Sequence, residues 1–136
     1  MRELDIEAKV DNLGQVTGFI DEQLEEAGCS VKTQMQIDLA VEEIFVNIAS
    51  YAYAPGSGRA LIQTEIKPDG SGITIVFSDS GTPYDPLAKE DPDTTLSVNE
   101  RAIGGLGIFL VKKTMDDMFY EYRDGCNVLT IVKGLK

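Results

Sequence analysis

The order in which hydrophobic periodicity changes along this chain constrains its fold more than any single motif. Residues 3–10, ELDIEAKV, alternate, with Leu4, Ile6, Ala8 and Val10 on one face, as in a half-buried strand. From Asp11 or Asn12, either of which can cap a helix, the period changes. Leu13, Val16, Ile20, Leu24 and Ala27 form one helical stripe, and Gly28 is a natural stop. A second helix follows at once, starting near Ser30 or Thr33, where Thr33 and Gln36 have capping-box spacing. Its stripe is Ile37, Val41, Ile44, Ile48 and Ala52, and APGSG at 54–58 ends it. RALIQTEIK and GITIVFSD then read as two strands joined by PDGS. A polar, acid-rich stretch from Ser80 to Ile103 is a loop, and GGLGIFLVKKTMD is a glycine-rich turn feeding a third helix. DMFYEYR and NVLTIVK, linked by DGC, close the chain as a second hairpin.

The order is therefore strand, helix, helix, two strands, loop, helix, two strands. Few strands are joined by helical crossovers, which argues against a doubly wound parallel sheet. The pattern predicts an α+β two-layer sandwich, with a mixed, mostly antiparallel sheet and three helices on one face. At 136 residues the chain is the size of a single domain, and residues 1–136 are read as one. That length supports a hydrophobic core without a disulfide framework. Cys29 and Cys126 lie far apart with no CxxC, as expected of reduced thiols in a cytoplasmic protein. No apolar run is long enough to span a bilayer, and the first ten residues do not resemble a signal peptide.

Charge and composition narrow the chemistry. A formal net charge of −11 disfavours binding to nucleic-acid backbones and to anionic membrane surfaces. The chain has no histidine, which removes Ser-His and Cys-His nucleophiles, histidine-ligated zinc and self-phosphorylation on histidine. Acid-base work must fall to Asp, Glu, Lys or Tyr.

Three stretches could carry chemistry. In EEIFVNIASYAY, Glu43 and Asn47 sit four residues apart, hence on one helix face. Asn47 offers an amide oxygen to a hard cation such as Mg²⁺, and Glu43 could take a proton from a nucleophile beside it. A solvated Glu43 and an Asn47 that caps a loop fit the same two residues. In SDSGTPYDP, Asp79 ends a strand on the face of Ile73, Ile75 and Phe77, where a carboxylate can accept from an exocyclic amine. Gly81 leaves room for a flat ring, although an Asp-Ser-Gly turn leaving a strand is also ordinary. In GGLG, residues 104–107, glycines before a helix let backbone N–H groups face an anion; a hinge would use the same residues.

Taken in order, the three stretches resemble the N box and the two glycine boxes of the Bergerat-fold (GHKL) ATPases, a superfamily that includes gyrase and the histidine kinases. Within it the chain resembles the small anti-sigma factors that are also serine protein kinases. Their first glycine box is of the D-x-G-x-P type, as in Asp79, Gly81 and Pro83. The resemblance covers essentially the whole chain.

That resemblance implies ATP and Mg²⁺ as cofactors, with Asn47 coordinating the metal and Glu43 as the catalytic base toward a serine hydroxyl. It implies that Asp79 binds the adenine amino group above Gly81, that Gly105 and Gly107 hold phosphates, and that residues 85–104 form an ATP lid. Arg101, late in that lid, is a candidate phosphate contact, and Lys112 a second. The implied function is an ATP-dependent serine/threonine protein kinase that regulates transcription. It would hold a sigma factor inactive and phosphorylate an anti-anti-sigma partner; family members often form homodimers. A non-catalytic, ATP-gated binding module is an alternative, as is a stand-alone histidine-kinase-type catalytic domain. The last would need a phosphoacceptor on another protein. Two departures stand out. Where N boxes often read N-A-x-x-H-x-Y, this one reads NIASYAY, with no histidine. Pro83 replaces the second glycine of the wider superfamily's first box, though not of this subgroup's.

Overall fold

The computed structural model describes residues 1–88 and 105–136. Five strands, β1 (Arg2–Glu7), β2 (Arg59–Ile66), β3 (Gly72–Asp79), β4 (Asp117–Arg123) and β5 (Cys126–Gly134), form one sheet in the order β1-β2-β3-β5-β4. Every neighbouring pair is antiparallel, so the expected α+β sheet contains no parallel pair among the described residues. Helices α1 (Leu13–Ala27), α2 (Val31–Asn47) and α3 (Gly105–Thr114) complete the architecture.

The core lies on the inward parity of the strands. Ile62, Ile73, Ile75, Phe77 and Ile131 are buried, as are Val16, Ile20 and Leu24 of α1 and Ile37, Val41, Ile44 and Phe45 of α2. α1 and α2 contribute the stripes their periodicity specifies, and burying them supplies the main driving force for docking onto the sheet. Thr64 adds one polar contact to this layer, its hydroxyl donating to Gln23 of α1 at 2.6 Å.

The helix ends differ from expectation in instructive ways. β1 stops at Glu7, and residues 10–12 form a 3₁₀ turn, so Val10 leaves the strand and is exposed. Asn12 does not cap α1 with its side chain. Its amide instead donates to the carbonyl of Glu7 at 2.9 Å, bracing the turn. At the other end Gly28 takes φ 74°, the left-handed conformation that glycine adopts without a Cβ penalty. Ser30 is the cap of α2, its hydroxyl accepting from the Thr33 N–H at 3.1 Å. Thr33 thus sits inside the first turn, and a Thr33–Gln36 capping box does not form. Past Asn47 the helix widens into a π turn over Ile48–Ala52, a local over-wide geometry that re-aims the residues after it.

Two topological facts position a site. β5 lies between β3 and β4, so the ends of β3 and β5 meet at one edge, with Asp79 paired to Asn127. The C-terminal end of α2 and the N-terminal end of α3 approach that same edge.

Candidate functional site

A cavity of about 570 Å³ opens between the π turn, the end of β3 and the first turns of α3. Phe77, Leu129 and Ile44 line it from the core side, and Ile108, Tyr51 and Pro86 line it elsewhere. Its polar equipment is small: Asn47, Asp79, Asn127 and Thr82, with Tyr51, Tyr84 and Tyr120 also in the lining. An apolar slot with a few placed polar groups is what a flat heterocycle needs.

Asp79 ends β3 on the inward parity and is only 7% exposed. Its Oδ1 accepts from the Gly81 N–H at 3.0 Å and from Asn127 Nδ2 at 2.9 Å. Among the described residues no hydrogen bond reaches its Oδ2, which leaves that oxygen as an acceptor for a ligand.

Asn47 lines the cavity and Glu43, one turn back on α2, does not. The two side chains nevertheless meet: Asn47 Nδ2 donates to Glu43 Oε1 over 3.4 Å. Because the amide nitrogen faces the carboxylate, the amide oxygen faces away from it. Burial pushes the Glu43 carboxyl above its ordinary pKa; the Asn47 bond opposes this, and the neighbouring charge of Glu42 reinforces it. A carboxylate so shifted is closer to the range in which a general base works near neutral pH.

Gly107, in the first turn of α3, lies directly against Glu43. A Cβ there would collide with the Glu43 carboxylate. Gly105 opens the same helix. The N–H groups of this turn have no partners within the helix, so the turn has the electrostatic character of an anion site.

Gly81 packs its Cα against the π turn. It does not line the cavity, and a Cβ on it would collide with the carbonyl of Ala52 in the π turn. The adjacent Thr82 N–H donates to that carbonyl at 2.8 Å. The loop is also held by Tyr53, whose hydroxyl donates to the Arg59 carbonyl at 2.5 Å and accepts from the Ser80 N–H at 2.9 Å. Arg101 and most of the segment expected to form a lid lie outside the described residues. Lys112 is exposed in the last turn of α3.

Asn127 and Tyr120 belong to the site and were not singled out in the sequence. Asn127 is 7% exposed and makes four hydrogen bonds. One signal was available. Asn127 heads the alternating run NVLTIVK and shares the parity of Leu129 and Ile131, the same pattern that marks Asp79 on β3.

A family model described as the histidine kinase-like ATPase domain matches residues 6–133. The chain belongs to that family. It is similar to a serine/threonine-protein kinase, BtrW, of Bordetella bronchiseptica, with 29% identity over 102 residues, covering 75% of this chain and 71% of the relative. It is 30% identical over 108 residues to the serine-protein kinase RsbW of Listeria innocua, covering 76% and 68%. It is 28% identical over 114 residues to the RsbW of Staphylococcus epidermidis, covering 81% and 71%. Membership in this ATPase family implies that ATP is used. Among the described residues, no helix is long and apolar enough to cross a membrane.

Proposed function

We propose that the protein is an ATP-dependent serine/threonine protein kinase whose phosphoacceptor is a hydroxyl on a small regulatory partner. In this reading the kinase also binds and restrains a sigma factor, and phosphorylation of an anti-anti-sigma partner controls that restraint. The observation that carries the reading is the contact between Glu43 and Asn47 at the rim of the cavity. It sets a proton acceptor of raised affinity one helical turn from a hard-oxygen ligand. The names of the similar proteins support the same reaction class.

The residues fit a magnesium–nucleotide. Asn47 presents its amide oxygen away from Glu43, and among the described residues no group of three or more acidic, thiol or imidazole side chains is arranged to hold a metal ion. A divalent ion here would therefore take one protein oxygen and complete its shell with phosphate oxygens and water, as Mg²⁺ commonly does. Bound there, it would neutralise charge developing on the transferred phosphoryl group.

The chain's own residues do the rest. Asp79 accepts from the exocyclic amine of the base, and the apolar walls exclude water from the ring. Gly105 and Gly107 leave the N–H groups at the start of α3 open to phosphate oxygens. Glu43 accepts the proton of the attacking hydroxyl as its oxygen bonds to the γ-phosphorus and the bond to the β–γ bridging oxygen breaks, releasing ADP. Most of the rate would come from positioning and charge neutralisation.

The decisive experiment is transfer of labelled phosphate from ATP to candidate partner proteins. Glu43→Gln is expected to lower transfer by about 10²–10⁴-fold while leaving ADP affinity near that of the parent. Undiminished transfer in that variant would remove Glu43 from the reaction. Tight nucleotide binding with no transfer to any partner would replace the kinase with an ATP-gated binding module.

A further inference from the structure

We propose that Asn127, held by Tyr120, makes the cavity select a purine that carries an exocyclic amine, acting as a positioning residue through Asp79. The inference rests on the nucleotide-binding reading above and concerns how the base is chosen.

The orientation of the Asn127 amide is dictated by partners that allow only one role. Its Oδ1 accepts from the backbone N–H of Tyr84 at 3.0 Å, a group that can only donate. It also accepts from the Tyr120 hydroxyl at 2.5 Å. Its Nδ2 donates to the carbonyl of Thr82 at 3.0 Å, a group that can only accept. The remaining amide proton therefore goes to Asp79 Oδ1 at 2.9 Å. A carboxamide has two lone pairs and two donor protons, and all four are used within the protein. Asn127 lines the cavity yet has nothing left to offer a base.

The consequence falls on Asp79. With the Gly81 N–H also on Oδ1, that oxygen has two donors, and rotation of the carboxylate would break both bonds. Oδ2 is thereby left as the carboxylate's unengaged acceptor, on a residue that lines the cavity. A 6-amino purine meets it with a donor. A 6-oxo purine brings an acceptor to the same point, and a pinned carboxylate cannot turn to reach its N1–H instead. Discrimination of this kind depends on how rigidly the acceptor is held. The same amide ties down Thr82 and Tyr84, so base choice and the root of the loop beyond β3 share one side chain.

The test measures dissociation constants for ADP and IDP, which differ at position 6 of the purine and are not turned over. The parent is expected to prefer ADP. Asn127→Leu should shrink the ADP:IDP preference by about 10-fold, chiefly by weakening ADP. Tyr120→Phe, which removes one oxygen, should shrink it a few-fold in the same direction. Asn127→Asp puts an acceptor where the donor stood. Its preference should hold at low pH, where a carboxyl proton is the donor, and be lost as the pH rises and that proton leaves. A merely structural role would weaken both nucleotides together and leave the ratio unchanged. An unchanged ratio in folded Tyr120→Phe and Asn127→Asp overturns the proposal even if Asn127→Leu fails to fold. A parent that binds neither nucleotide overturns the functional reading and this proposal with it. A parent that prefers ADP, with variants that keep the preference, overturns only this one.

Discussion

The carboxylate of Glu43 occupies the space that a side chain on Gly107 would fill. The two residues are 64 positions apart, on α2 and α3, and the missing Cβ is what lets the acid lie against the first turn of the second helix. Gly107→Ala should therefore act on chemistry more than on stability. The colliding group is the far end of a flexible side chain, so Glu43 is pushed aside while the backbone stays. Phosphotransfer is expected to fall about 100-fold, the scale of a 1 Å misplacement in an active site. The Gly107 N–H survives the substitution and the new methyl points at Glu43, so ADP affinity should fall less than transfer, and the thermal midpoint should change little. A variant that loses nucleotide binding as much as transfer would contradict this assignment.

The raised pKa of Glu43 predicts a pH dependence of transfer. The base must be ionised to accept a proton, so kcat/KM should rise with pH and level off above the shifted value. Burial is the main cause, but the exposed Glu42 adds repulsion that can be removed alone. In Glu42→Gln the acidic limb should move to lower pH with the plateau unchanged. A limb that stays in place in Glu42→Gln and disappears in Glu43→Gln would mean that the charge of Glu42 does not reach the base.

A second acid pair sets a different dependence. Asp21 on α1 and Asp38 on α2 each hold an Oδ1 that is shut off from solvent without a conventional partner. Two carboxylate oxygens can bond only if one keeps a proton. Burial, then hydrogen bonding and charge from Asp21, push Asp38 up to about 7. Cys29, beside the pair, is pushed up by burial and by both acids. The folded state thus holds a proton that the unfolded chain releases above about pH 4. Stability from this pair is full below that value and declines as the pH rises toward 7. Asp38→Asn keeps a donor at every pH. It should gain on the order of 1 kcal/mol over the parent at pH 8, allowing for screening of a half-exposed pair, and little at pH 4.5. Denaturant unfolding at both pH values measures the difference; an equal effect at both would exclude a shared proton.

The elements were legible in the sequence because each turns one apolar stripe to the core. Val16, Ile20 and Leu24, or Ile73, Ile75 and Phe77, announce a helix and a strand without reference to anything distant. Asp79 was legible as a polar residue breaking such a stripe, and Glu43 and Asn47 as a polar pair one helical turn apart beside one. Asn127 breaks its stripe in the same way. Its meaning, however, depends on the register between β3 and β5, which brings together residues 48 positions apart. Local periodicity carries no information on that register. The Ser30 cap was within reach of local rules, whereas the π turn was not, because a helical stripe drawn at 3.6 residues per turn runs straight through Ile48–Ala52.

That π turn changes what Gly81 is for, and supplies a contrast with Gly107. The Gly81 Cβ position is filled by the backbone carbonyl of Ala52, which also accepts from Thr82. A backbone group cannot swing aside as a carboxylate can. Gly81→Ala must therefore displace the loop, break the Thr82 bond or unwind the turn, at an expected cost of about 1–3 kcal/mol. Since the Gly81 N–H is one of the two donors on Asp79 Oδ1, the displacement also loosens the base acceptor. ADP affinity and thermal midpoint should fall together, the reverse of the pattern expected for Gly107→Ala. Equilibrium unfolding and ADP titration on the two variants side by side separate the roles. If Gly81→Ala instead kept its stability and lost only nucleotide, Gly81 would be a direct contact to the ring.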